Sequence, residues 1–157
     1  KYYTFYLKLI NFKHAETYLE EKAIAEASQQ QLDSILIENF LITRGIGSAS
    51  ADSNGIKYSK TISLQGNLLQ TGDTVKLHYK GVLTNGFEFD NSFNRQEPLV
   101  FVVGTRQVID GLDQGIRHFR KGESGTILIP SRLGYGTREM GKIPANSVLI
   151  FEVDIQQ

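Results

Sequence analysis

The run Val75–Ser92, VKLHYKGVLTNGFEFDNS, constrains the fold more than any other stretch of this chain. Val75, Leu77 and Tyr79 alternate with Lys76, His78 and Lys80, the period of a half-buried strand. Asn85-Gly86 supplies residues that tolerate positive φ in a tight hairpin turn. The chain is therefore expected to double back as an antiparallel pair. On the return strand Phe87 and Phe89 share a face, and Asp90 points away from Phe89 if the strand runs straight. A carboxylate beside an inward tyrosine and two phenylalanines is costly unless it is paired or used.

The segments on either side repeat this pattern of short strands. Ile56–Ile62 reads as a first strand, and Gln70–Asp73 as the turn before the central hairpin. After a polar loop from Asn91 to Glu97, Pro98 precedes Leu99–Val103, a nearly continuous apolar run that reads as a buried strand. Ile109, Leu112, Ile116 and Phe119 fall on one face of a short helix. That helix needs a sheet beneath it, because two turns do not persist alone. Ser124–Ile129 is another strand, Leu133–Pro144 a glycine-rich loop, and Ser147–Ile155 the closing strand. In the closing strand Val148, Ile150 and Glu152 alternate with Leu149, Phe151 and Val153. Many strands with one inserted helix, and no regular βα alternation, argue for an α+β domain with an antiparallel sheet.

The first fifty residues have a different character. KYYTFYLKLINF is rich in aromatic and β-branched residues and reads as a strand, either an extra edge strand or the last strand of a missing upstream unit. From Lys13 to Arg44 there is neither glycine nor proline. Ala15, Tyr18, Leu19, Leu32, Ile35, Leu36 and Phe40 recur at helical spacings among charged residues. One long helix is expected, or two broken near Ser28–Gln31, stopped by Gly45 and Gly47. Such a helix is either docked on its own domain or a dimerisation or substrate-cradling arm. Ser48–Gly55 has the composition of a linker. Residues 1–50 are thus expected to form a strand, helical extension and linker, and residues 51–157 the main domain.

Composition removes several functions. The 157 residues carry 17 basic and 17 acidic side chains, a balance that favours neither nucleic acid nor an anionic membrane as partner. The absence of cysteine rules out disulfides and thiolate chemistry. His14, His78 and His118 are scattered, without metal-ligand or catalytic spacing, so no metal and no cofactor is expected. His78 reads as a surface histidine, on the strand face opposite Tyr79. No nucleophile elbow is present, and Gly134-Tyr135-Gly136-Thr137 lacks the lysine of a phosphate loop. No apolar run has the length of a membrane span. The chain opens on Lys1 rather than methionine, so a processed or truncated product is expected, with any export signal or lipid-anchoring cysteine upstream.

His78-Tyr79-Lys80-Gly81, Gly86 and Phe89-Asp90-Asn91-Ser92 together resemble the core signature of the FKBP-type peptidyl-prolyl cis-trans isomerases. The likeness continues in order through Val108-Ile109-Asp110-Gly111-Leu112, Gly134-Tyr135-Gly136, Ile143-Pro144 and Leu149–Val153, across roughly the C-terminal two-thirds of the chain. The resemblance implies a twisted antiparallel sheet wrapped around a short helix. It also implies an enzyme that rotates X-Pro bonds in protein substrates and so assists folding. Tyr79, Phe89, Val108, Ile109 and Phe151 would wall its pocket, with Leu112 as the floor and Phe101 along the side. Asp90 would act at the edge, supported by Arg95. The Ile109 N–H and the Tyr135 hydroxyl would hold substrate carbonyls, and Ile143 would meet the residue before proline.

This sequence departs from the family pattern at three places: Leu112 stands where tryptophan is frequent, Lys142 where an apolar residue is, and Leu99 where an aromatic is. The alternative reading is a chaperone or scaffold module that grips proline-containing segments without turnover. Helical extensions of this kind suggest a bacterial protein of the cell envelope or periplasm, with the cytoplasm as the alternative, and a homodimer formed through the helix.

Overall fold

The computed structural model describes the backbone from Tyr2 to Gln157, and the side chains of Ala15 and of Thr17 onward. The chain forms two compact units, Lys1–Leu32 and Asp33–Gln157. The first is helical and belongs to α1 (Tyr2–Thr43), which passes through Ser28–Gln31 without a break. The strand expected over the first dozen residues is therefore helix from Tyr2 on. Aromatic and β-branched residues favour strands only where a neighbouring strand pairs with them. Without one, each residue added to an existing helix gains a backbone hydrogen bond at no further nucleation cost, and no glycine or proline interrupts residues 1–44.

In the second unit α1 ends in a left-handed Gly45 (φ 66°). The Ile46 N–H donates to the Leu41 carbonyl (2.9 Å) and the Gly45 N–H to Ile42 (3.1 Å), so the last turn is closed by its own backbone. Seven antiparallel strands follow: β1 (Ser50–Ala51), β2 (Lys57–Ile62), β3 (Thr74–Leu83), β4 (Glu88–Asn91), β5 (Leu99–Val102), β6 (Ser124–Ile129) and β7 (Leu149–Ile155). Their order in the sheet is β1-β2-β6-β7-β3-β4. The free edge of β3 is divided, with β5 on Thr74–Leu77 and β4 on Lys80–Val82. Ser50–Ala51, read as linker, is instead a two-residue strand against Tyr58 and Lys57. The Asp52 carboxylate holds that turn by accepting from the Asn54 and Ile56 N–H groups at 2.8 and 2.9 Å.

Each face of the sheet buries its own apolar cluster. On one side α3 (Asp110–Gly115) and the 3₁₀ turn Ile116–His118 lay Leu112, Ile116 and Phe119 against Val75, Leu77, Ile127, Leu149 and Val153. The contact is close: a Cβ on Gly111 would stand 2.1 Å from Ile129 Cγ2, and one on Gly115 2.5 Å from Ile127 Cγ2. Glycines four apart thus let the helix backbone rest on β6. On the other side Ile37, Phe40 and Leu41 of α1 cover Val82, Leu128, Val148 and Ile150. The alternation in β7 is consequently buried on both faces at its start, and the compact packing begins at Asp33, ahead of the expected boundary at residue 50.

Candidate active site

Between α3 and the sheet lies a pocket of about 370 Å³ lined by Tyr79, Phe89, Asp90, Leu99, Gln107, Val108, Ile109, Leu112, Tyr135, Ile143 and Phe151. Its volume is in the range that small-molecule and peptide side-chain sites occupy. Tyr79 comes from β3, Phe151 from β7 and Phe89 from β4. Their rings pack at 5.6 Å (Tyr79–Phe151) and 5.7 Å (Phe89–Phe151, edge to face), an arrangement that the aromatic quadrupoles favour.

The hairpin that delivers Phe89 and Asp90 differs from a straight one. Of Asn85-Gly86 only Gly86 takes positive φ, at 86°. The Gly86 N–H donates to the Leu83 carbonyl (2.9 Å) and the Leu83 N–H to the Phe87 carbonyl (2.9 Å), a three-residue loop closed by a left-handed glycine. Further along, Gly81 pairs with Asp90 but Val82 pairs with Glu88, so Phe89 is an extra residue in β4. This bulge overturns the expected alternation, because a bulged strand re-aims consecutive side chains. Phe89 and Asp90 both face the pocket. Gly81 makes room: a Cβ there would lie 2.5 Å from Phe89 Cε2.

The segment after Asp90, expected as loop, begins with a one-turn helix, α2 (Ser92–Arg95). The Asn91 side chain caps it, accepting from the Phe93 and Asn94 N–H groups at 3.0 and 3.4 Å. That turn carries Arg95 back over Asp90. One oxygen of Asp90 accepts the Tyr79 hydroxyl proton. The other accepts from the Arg95 guanidinium and from the Asn91 N–H (2.8 Å). Burial opposes the charged form of Asp90, but these donors outweigh it and hold the carboxyl below its usual range. Burial, then the bond to Asp90, raises the Tyr79 hydroxyl above its usual value of 10. The Tyr79 hydroxyl, the Arg95 guanidinium and the Asn91 N–H thus fix Asp90 as a carboxylate beside the pocket, in the place that the family resemblance implied.

Behind the pocket Ser92 is fully buried. Its Oγ accepts from the Tyr79 N–H (2.7 Å) and donates to the Tyr79 carbonyl (3.2 Å). His78 is half-buried, with Nδ1 3.0 Å from the same Oγ and its ring stacked on Phe93 at 4.8 Å. It supports the hairpin from behind and lies outside the pocket lining. At the mouth, the Ile109 N–H and the Tyr135 hydroxyl make no hydrogen bond to any described residue, and both residues are half-buried. They are donors open to a ligand.

Residues 66–156, more than half of the chain, match the family described as FKBP-type peptidyl-prolyl cis-trans isomerase. The chain belongs to this family of isomerases. The FK506-binding protein 1A of Neurospora crassa is 52% identical over 85 residues, covering 54% of this chain and 71% of that protein. The FKBP-type isomerase FkpA of Buchnera aphidicola is 34% identical over 142 residues, 86% of this chain and 58% of that protein. The crystal structure of FkpA from Escherichia coli superposes with a TM-score of 0.66 at 30% identity, covering 94% of this chain and 70% of that one. The chain thus spans between about half and three-quarters of the length of these proteins.

Within the isomerase domain, nine of the eleven residues singled out from the sequence border the pocket: Tyr79, Phe89, Asp90, Val108, Ile109, Leu112, Tyr135, Ile143 and Phe151. Arg95 stands beside them on Asp90. Phe101 is 2% exposed and packs in the core instead, since β5 turns it inward beside Val75. Gln107 borders the pocket and carried no signal in the sequence. Its side-chain oxygen accepts from the Val102 N–H at 2.8 Å, which folds the segment before Val108 toward the end of β5. Among the described residues no cluster of histidine and carboxylate groups fits a metal ion, and no helix is long and apolar enough to cross a membrane.

Proposed function

We propose that this pocket accelerates rotation about X-Pro bonds in protein substrates. The observation that carries the reading is the three-ring pocket with two unengaged donors at its mouth and a carboxylate fixed at its edge. Rotation of the bond is opposed by about 18–20 kcal/mol of amide resonance. The two isomers differ by only about 0.5–1 kcal/mol, so the twisted state alone needs stabilising. Twisting removes the resonance and with it the dipole that water solvates best. A pocket walled by Tyr79, Phe89, Ile109 and Phe151 therefore disfavours the planar amide relative to the twisted one. The Ile109 N–H and the Tyr135 hydroxyl hold the flanking carbonyls. Asp90 keeps the Tyr79 ring in place and presents a fixed negative charge to the rotating group.

A protease-coupled assay on short X-Pro peptides tests this. Acceleration that is strongest for leucine or phenylalanine at X, by contact with Ile143, and reduced by Asp90→Ala and Tyr135→Phe supports it. No acceleration over the spontaneous rate, with proline peptides still bound, establishes the non-catalytic binding module instead.

The exposed Tyr18, Leu19, Ile24, Leu32 and Ile35 of α1 support the companion proposal that the helix pairs two copies of the chain or cradles clients. Sedimentation of the full chain beside a Leu19→Glu, Ile24→Glu variant separates the two. The likeness to FkpA of two bacteria supports a bacterial source; a cell-envelope setting is a proposal that cell fractionation tests.

A further inference from the structure

Asp33 is 1% exposed and lies 98 residues from its partner in sequence. Its Oδ2 accepts from both the Ser131 N–H (2.8 Å) and the Ser131 hydroxyl (2.7 Å). A carboxylate is an expensive group to bury where leucine or methionine would pack, and the neighbouring Ile37, Phe40 and Leu41 already dock this end of α1. What the carboxylate adds is a fixed position for Ser131. The Ser131 carbonyl in turn accepts from the Gly134 N–H (3.0 Å) and the Gly136 N–H (2.9 Å). The Gly136 carbonyl accepts from the Asn146 N–H at 2.7 Å. Tyr135 sits between those two glycines and enters the pocket from there.

We propose that Asp33 is a positioning residue for the isomerase reaction: by clamping Ser131 it sets the loop that aims the Tyr135 hydroxyl at the substrate carbonyl. Asp33 lies well before residues 66–156, the family-matched span, so the end of α1 is coupled to the pocket by a contact that the domain pattern does not contain. Whatever engages the helix near Asp33 then acts on the aim of Tyr135. The coupling is carried by one side chain and three backbone hydrogen bonds, all within the second compact unit.

The inference rests on the isomerase reading, so the test has one arm that needs no turnover. In the full-length chain, Asp33→Ala should speed amide hydrogen exchange at Gly134, Gly136 and Asn146 at least tenfold. Phe40→Leu, which trims the apolar packing of α1 but keeps the Asp33 carboxylate, should speed those amides by less than about threefold. In the activity arm, Asp33→Ala should lower kcat/KM about tenfold, the scale that displacing a substrate-positioning group brings. Asp33→Asn, which keeps an acceptor, should recover part of it. In a Tyr135→Phe background the same Asp33→Ala change should cost less than twofold, because the hydroxyl it positions is already gone. An equal loss in both backgrounds overturns the proposal, as does unchanged exchange at Gly134 and Gly136. If the parent chain shows no isomerisation, the exchange arm still decides whether Asp33 holds the loop.

Discussion

Gly81→Ala isolates the role of the bulge in building the pocket. Gly81 is not at positive φ, so alanine fits its backbone and the effect is purely steric. The new Cβ would lie 2.5 and 2.6 Å from Cε2 and Cζ of Phe89. Carbon atoms in contact settle about 3.5–4.0 Å apart, so the ring must retreat by about 1 Å. Overpacking of this kind costs about 1–3 kcal/mol, offset by about 0.4–1 kcal/mol from the lower unfolded-state entropy of alanine. The difference, a net loss of up to about 2.6 kcal/mol with a midpoint of about 1.3 kcal/mol, should appear in urea unfolding. Because Phe89 walls the site, a displacement of about 1 Å should cut kcat/KM by between about ten- and a hundredfold in the protease-coupled assay. Repeating the substitution in a Phe89→Val background removes the clash, and the stability penalty of the added methyl should then vanish. Wild-type kcat/KM and stability in Gly81→Ala, or an undiminished penalty in the Phe89→Val background, would refute the account of the bulge.

Other expectations concern charge and packing. Glu123 is fully buried and accepts from Lys60 Nζ (2.7 Å), the Leu64 and Arg120 N–H groups and the Arg120 guanidinium. Burial opposes its ionisation, yet these donors bring its carboxyl down from 4.5 to about 2. A depressed carboxyl stabilises the fold above its unfolded value and ceases to as pH falls through the folded one. About 3 kcal/mol should therefore be present above pH ~4.5 and be lost progressively toward pH ~2; Glu123→Gln should flatten that acid limb of the stability curve. Asp90 is held below its usual range and Tyr79 above its own, so neither titrates between about pH 5 and 9. An inflection of kcat/KM in that window that disappears in Asp90→Asn would contradict this. A chain beginning at residue 51 lacks Ile37, Phe40 and Leu41 and uncovers Leu128 and Ile150, both fully buried in the whole protein. It should bind a hydrophobic dye and aggregate on concentration, whereas a chain beginning at residue 33 should stay monodisperse.

Tyr79, Phe151 and the short helix with Leu112 could be recognised from the chain because strand and helix periods follow from local backbone geometry, which neighbouring residues carry with them. The order of the motifs added Val108, Ile109, Tyr135 and Ile143 to the same pocket. The same family likeness put Phe89 and Asp90 there, but strand alternation by itself aimed Asp90 away, and the true direction of the pair could not be recognised from the chain. It depends on the register of β4 against β3, where one extra residue turns a carboxylate expected on the far face into the pocket. The first dozen residues show the same limit from the other side: their strand propensity has no partner strand, and the growing helix takes them. Gln107 at the pocket and Phe101 away from it were settled by how β5 lies on β3. Asp33 and Ser131 lie 98 residues apart, and only the packing of α1 on the sheet brings them together. Periodicity and turn chemistry act over a few residues, while register, bulges and long-range polar contacts exist only once the surfaces have met.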